Sequence, residues 1–125
     1  MSFSVEKVAV DPIIVTTLCE DYRVMDELPA CDQAVLDIIE TTDEPQFLVV
    51  EVCTYFSMDE MIYALNRQTH PETGLWRHPG LRGVAFATSD EAMKMAAKGL
   101  NTEAFHYMEI EVFDTVDEAV DYFVA

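Results

Sequence analysis

Three times in this chain a run of apolar residues is followed by a hydroxyl residue with a glutamate three positions further on. Phe47–Cys53 precedes Ser57 and Glu60, Val84–Ala87 precedes Thr88 and Glu91, and Met108–Val112 precedes Thr115 and Glu118. A Ser or Thr at a helix N-cap accepts a backbone N–H three residues on, while a Glu there reaches back to the cap's own N–H. Each unit therefore reads as strand, cap, helix. Phe56, just before the Ser57 cap, is placed to staple onto Met61.

The expected helices carry apolar stripes at helical spacing: Met58, Met61, Ile62 and Leu65 in the first unit, Ala92, Met93, Ala96 and Leu100 in the second, Val116, Ala119, Val120 and Phe123 in the third. Lys94, Lys98 and Gly99 suit the end of the second of these helices. Ahead of the repeats, Val5–Val10 and Ile13–Leu18 read as two strands parted by Asp11-Pro12, since proline cannot donate to a ladder. Leu28, Cys31, Val35, Ile38 and Ile39 form a further helical stripe over roughly residues 28 to 41, with Pro29 suited to its first turn.

The order is β-β-α-β-α-β-α-β-α, and a strand-helix-strand crossover makes neighbouring strands parallel. The fold class expected is α/β: a single domain over residues 1–125 with a mainly parallel sheet of four to five strands flanked by helices, the first strand free to run antiparallel. Phe47–Cys53 is apolar on both faces except at Glu51, as a central strand covered on two sides must be. Met108, Ile110 and Val112 alternate with Glu109 and Glu111, so the last strand has one wet face. Ala85, Ala87, Ala92, Ala96 and Ala97 suggest that the second unit's helix lies close to the sheet.

Twenty-four acidic against seven basic residues give a formal charge of −17, which repels phosphate backbones and anionic lipid, so nucleic acid and membrane are not expected partners. No apolar run reaches the ~18 residues of a membrane span. The first residues lack a signal-peptide layout, so a cytoplasmic location is expected. Cys19, Cys31 and Cys53 are odd in number and widely spaced, which fits reduced thiols and gives no disulfide or metal framework. No catalytic, cofactor-binding or metal-ligating residue is assigned. The Met residues read as core and the acids of residues 109–121 as a solvated surface.

The central strand Phe47–Cys53 with its capped helix, the stretch Gly83–Ala87 with Thr88-Ser89-Asp90-Glu91, and the ending Val112–Phe123 resemble the STAS-like (SpoIIAA-like) family related to anti-sigma-factor antagonists. The resemblance covers about residues 44 to 125, with residues 5 to 41 agreeing only in element order. It implies the fold and a protein-contact or small-ligand role rather than a catalytic one; a regulatory or protein-interaction domain, acting as a homodimer or with another protein partner, is the expected reading. In anti-sigma-factor antagonists the loop after the central strand carries a phosphorylated serine in an Asp-Ser-Ser/Thr-Gly type motif. Here the loop reads Cys53-Thr54-Tyr55-Phe56-Ser57-Met58-Asp59, so only Ser57 could match, without the motif's Asp and Gly.

Ser57 is accordingly the candidate phosphorylation site, since a helix N-terminus stabilises a phosphate; the plain alternative is an ordinary cap. Tyr55 and Thr54 follow the end of a parallel strand, where open α/β sheets place ligands. Cys53 near the helix start is either a nucleophile or a structural thiol. The connection 66–83 is long and gathers Arg67, Arg77, Arg82, His70 and His78 around Trp76, the single tryptophan. Arg67, Trp76, Arg77, His78 and Arg82, with Tyr55 and Ser57, are therefore the candidate contact or ligand residues. The alternative to a protein-contact role is a binding protein or enzyme for an anionic or aromatic small molecule, with its pocket between Cys53–Ser57, Thr88 and the arginine loop of residues 66–83. Equally, Trp76 could fold back over a helix end while the arginines answer local acids, and the lone His106 reads as structural.

Overall fold

The computed structural model describes residues 2–105 and 107–124. Five strands form one sheet in the order of the chain: β1 (Phe3–Lys7), β2 (Ile13–Leu18), β3 (Gln46–Val52), β4 (Leu81–Ala87) and β5 (Glu111–Phe113). β1 is antiparallel to β2, and β2 through β5 are parallel. The helices are α1 (Val24–Thr41), α2 (Met58–Thr69), α3 (Glu91–Gly99) and α4 (Val116–Val124). Among the described residues no helix is long and apolar enough to cross a membrane.

Strand order explains the layers. When each parallel strand lies beside its predecessor, crossovers of one hand put every crossover helix on one face. Ile14, Leu18, Leu48, Val50, Val52, Val84 and Phe86 meet α1, α2 and α3 on that face. Their odd-numbered neighbours Ile13, Val49, Ala85 and Ala87 face the other way, onto α4. Here α4 contributes Val116, Ala119, Val120 and Phe123, the stripe read from its sequence. Phe123 stacks on Phe47 at 4.3 Å between centroids, beside Gly83, where a Cβ would press on the Phe47 ring at 3.2 Å.

Small residues therefore bring α4, not α3, close to the sheet: Ala85 and Ala87 point at Ala119, while Ala92 is exposed and Ala97 packs on the opposite face. The strand parity decides this, because Ala85 and Ala87 share neither face nor partner with Val84 and Phe86.

Other expectations shift at their ends. α1 starts at Val24, ahead of residue 28, because Val24 is buried and the Glu27 carboxylate accepts the Arg23 backbone N–H at 3.1 Å. Pro29 consequently lies inside the helix, beyond its first turn, and is exposed. β1 ends at Lys7, and Val10 is exposed in the turn before β2. Thr88 does not cap α3: its N–H still pairs with the Phe113 carbonyl at 2.8 Å, which extends the sheet. The cap moves to Asp90, whose carboxylate accepts the Ala92 N–H at 3.0 Å. Met108 and Ile110 pack inward as their alternation requires, yet the ladder to β4 is formed only by Glu111–Phe113. The two other caps stand as read: Ser57 and Glu60 form a full capping box, and Thr115 accepts the Glu118 N–H at 3.2 Å.

Replacing Ala119 by Leu should cost about 1–3 kcal/mol by overpacking against Ala85 and Ala87, whereas Ala92→Leu on the exposed side should stay within about 0.5 kcal/mol. Urea denaturation of both variants checks this, and equal losses would mean that α4 is not seated as described.

Candidate functional site

A parallel strand delivers its two flanking loops to opposite ends of the sheet. The segment Cys53–Ser57 leaves the C-terminal end of β3, and α2 carries the chain back so that residues 70–80 enter β4 at the N-terminal end. Seven strand residues separate those ends, roughly 20 Å at the usual rise. Tyr55, Ser57 and Thr88 therefore sit at one end, with Trp76, Arg77, His78 and Arg82 at the other. Phe56 and Trp76 nonetheless line one buried cavity, from whose wall Tyr55, Ser57, Thr88 and the arginines are absent.

At the N-terminal end the basic cluster is dispersed into structural contacts. Trp76 is buried, edge-on to Phe86 at 5.5 Å, within a short 3-10 turn over Leu75–Arg77 that takes up part of the long connection. Arg77 donates to the Thr69 carbonyl at 3.1 Å and the Phe105 carbonyl at 2.9 Å, which ties the end of α2 to the segment before β5. His78 Nδ1 accepts the Gly80 N–H at 2.8 Å, and His70 Nδ1 accepts the Glu72 N–H at 3.2 Å, so both imidazoles close turns. The Arg82 guanidinium lies 4.9 Å from the centroid of Phe47. Arg67 pairs with Asp32 at 3.5 Å.

A surface groove of about 260 Å³ adjoins this loop, lined among others by Asp32, Arg67, Glu72, Arg77 and His78. It holds acids as well as bases, and the Trp76 ring is absent from its wall. Nothing in it selects for an anion or an aromatic ring.

The C-terminal end is different in kind. Thr17 donates to Glu51 at 3.1 Å and Thr54 donates to the Glu20 carbonyl at 3.3 Å, so the ends of β2 and β3 are laced together. Cys53 is exposed, but desolvation of its sulfur, and then Glu51, Cys19 and Glu20, push its pKa up, which keeps it a thiol. Buried Cys31 is raised to about 12 by desolvation, with Asp32 and Glu27 adding. Neither thiol is activated as a nucleophile. Among the described residues no three His, Cys, Asp or Glu side chains are grouped to hold a metal, and His106 lies outside those residues.

Ser57 is exposed and engaged: its oxygen accepts the Glu60 N–H at 3.2 Å while the Glu60 carboxylate accepts the Ser57 N–H at 3.0 Å. A phosphate there would stand next to that carboxylate and Asp59, and would have to displace the capping box.

Sequence reasoning missed what surrounds Ser57. Met58 and Ile62, read as part of the α2 core stripe, are 68% and 46% exposed, and Tyr55 is 82% exposed. The inward line of α2 runs through Met61, Leu65 and Gln68. At about 100° per residue, Met58 and Ile62 fall some 60–100° to one side of it. The signal was present in Gln68, whose place in the period marks the true inward face, but a glutamine does not read as core.

A second feature was also missed. Between the sheet and α1 and α2 lies an interior cavity of about 70 Å³, walled by side chains such as Leu18, Leu28, Val50, Leu65 and Phe86.

Two measurements check these placements. Trp76 emission should be blue and resistant to acrylamide, and a red, readily quenched emission would place the ring in water. Ser57→Ala should lower stability by about 1 kcal/mol through loss of the cap, measured by urea denaturation.

No family model, no curated protein and no solved structure matches this chain.

Proposed function

We propose that the chain is a non-catalytic STAS-like (SpoIIAA-like) domain of the cytoplasm that works through protein contacts, with a second copy of itself as the partner. Support for the domain type comes from the sequential strand order with three crossover helices on one face. The three free thiols suit a reducing compartment.

The observation that carries the contact role is the Tyr55, Met58 and Ile62 stripe, exposed at the C-terminal end of the sheet beside Ser57. Met58 and Ile62 are one helical turn apart and share a face. Such a pair on one helix can pack on the same pair of a two-fold related helix, which makes the stripe self-complementary. An anionic or aromatic ligand held by the 66–83 loop is the weaker reading, because Trp76 is buried and Arg77 is engaged by backbone carbonyls.

Two copies each of charge −17 repel one another, while burial of an apolar stripe attracts. Salt shortens the screening length from about 10 Å at 0.1 M to about 3 Å at 1 M, so association should strengthen as salt is added. Light scattering over a concentration series should give a dimer mass whose share grows with sodium chloride. Ile62→Asp should give a monomer with an unchanged circular dichroism spectrum. A wild-type monomer at every concentration and salt level would overturn the self-association reading.

A further inference from the structure

The ladder between β2 and β3 pairs Thr17 with Glu51 and Leu18 with Val52, and it continues past the last of these. The Cys53 N–H donates to the Leu18 carbonyl at 2.9 Å, which is the bond that sets Cys53 opposite Cys19 in a parallel ladder. One step further, the Thr54 hydroxyl donates to the Glu20 carbonyl at 3.3 Å, at the same sequence offset of 34. On its other side Cys19 is still in the sheet, its N–H donating to the Ser2 carbonyl at 2.8 Å. The two cysteines are therefore neighbours across parallel strands, a pairing that their distance in sequence hides.

Alternation sets the face they share. Cys19 has the parity of Thr17, and Cys53 that of Glu51. The Thr17 and Glu51 side chains meet on that face, hydroxyl to carboxylate at 3.1 Å. Neighbouring strands lie about 4.8 Å apart, inside the window of about 4.4–6.8 Å between Cα atoms that a disulfide spans. Desolvation raises the Cys53 pKa, and Glu51, Cys19 and Glu20 add to it, so the Cys19 sulfur is within electrostatic reach. Cys53 is exposed and Cys19 half-buried, which leaves the pair open to reagents, whereas Cys31 is buried in the core.

Closure of such a pair relies on proximity, because the second thiol attacks within the same molecule. An activated sulfur is not required. The surroundings select the reagent: Glu20 and Glu51 lie beside the sulfurs on a chain of charge −17. An anionic disulfide is repelled there and a cationic one is drawn in.

We propose that Cys19 and Cys53 form a reversible dithiol site that closes to an intramolecular disulfide when it meets a small cationic disulfide. The Cys53 thiol gives its proton to solvent, attacks one sulfur of the reagent and releases the other as a thiolate, leaving a mixed disulfide. Cys19 then gives up its proton, attacks Cys53 Sγ and expels the remaining half of the reagent. The released thiolates take up the two protons, so the protein dithiol is oxidised to a disulfide as the reagent is reduced to two thiols. An excess of small thiol reverses both steps. Dimer formation is not required.

The test treats the reduced full-length protein with an equimolar amount of cystamine and, separately, of the dianion dithiodipropionate. Intact mass and peptide mapping should show loss of both thiol hydrogens, a Cys19–Cys53 crosslink and a free Cys31. Cystamine should close the pair about tenfold faster at low salt, with the ratio shrinking as salt screens the charges. Cys19→Ser should stop at the mixed disulfide on Cys53. Without any oxidation, phenylarsine oxide, which bridges neighbouring thiols, should protect Cys19 and Cys53 of the wild type from alkylation and leave Cys53 of Cys19→Ser open. Arrest of the wild type at the mixed disulfide, a crosslink through Cys31, or equal rates with the two reagents would overturn the proposal.

Discussion

Burial of β3 and β4 on both faces is the constraint from which the remaining arrangement follows. Leu48, Val50, Val84 and Phe86 are closed off by the crossover helices, and Val49, Ala85 and Ala87 by α4. Because side chains alternate along a strand, a slip of one residue would exchange the two sets. It would then set Val84 and Phe86 against α4, where β4 presents only Ala85, Ala87 and Gly83 beside Ala119 and the Phe47–Phe123 stack. Register between β3 and β4 is thus fixed by the difference in side-chain volume between the two faces, and the ends of β3 and β4 carry every loop considered as a site.

How legible this was depends on the kind of signal. Strands and helices came through because hydrophobic period and capping chemistry are local: Ser57 with Glu60 and Thr115 with Glu118 act within one turn. The Thr88 cap failed because a longer-range bond, from its N–H to the Phe113 carbonyl, competed for the same residue. The alanines were assigned to α3 because a stretch of sequence does not say which layer a strand parity faces. That depends on strand order, which is a property of the whole sheet.

The candidate site was less legible than the fold for a related reason. Arg67, Trp76, Arg77, His78 and Arg82 are close in sequence, and closeness suggested a common ligand. In three dimensions Arg67, Arg77 and His78 still border one groove, but each side chain has its own partner: Arg67 has Asp32, Trp76 has Phe86, Arg77 has two backbone carbonyls, His78 closes a turn and Arg82 lies over Phe47. A loop that must cross from the end of α2 to the start of β4 has many unpaired backbone groups, and side chains with several donors are the means of closing it. The tryptophan and the arginines are the parts that hold that crossing in place, which is why a chain so acidic keeps cations there.

The polar pair buried between α1 and α2, Asp32 and Gln68, follows the opposite logic. Asp32 is raised in pKa, by desolvation against the opposing Gln68 and Arg67 contacts. A carboxylate whose pKa is raised on folding subtracts stability as pH climbs from its unfolded value through its folded one. Asp32 is therefore a cost at neutral pH, one that a leucine of similar volume would avoid. What the carboxylate provides is orientation, since it dictates which end of the Gln68 amide looks inward. Packing alone explains the apolar residues around it, but it does not explain a buried acid that aligns a buried amide whose remaining atom has no partner among the described residues.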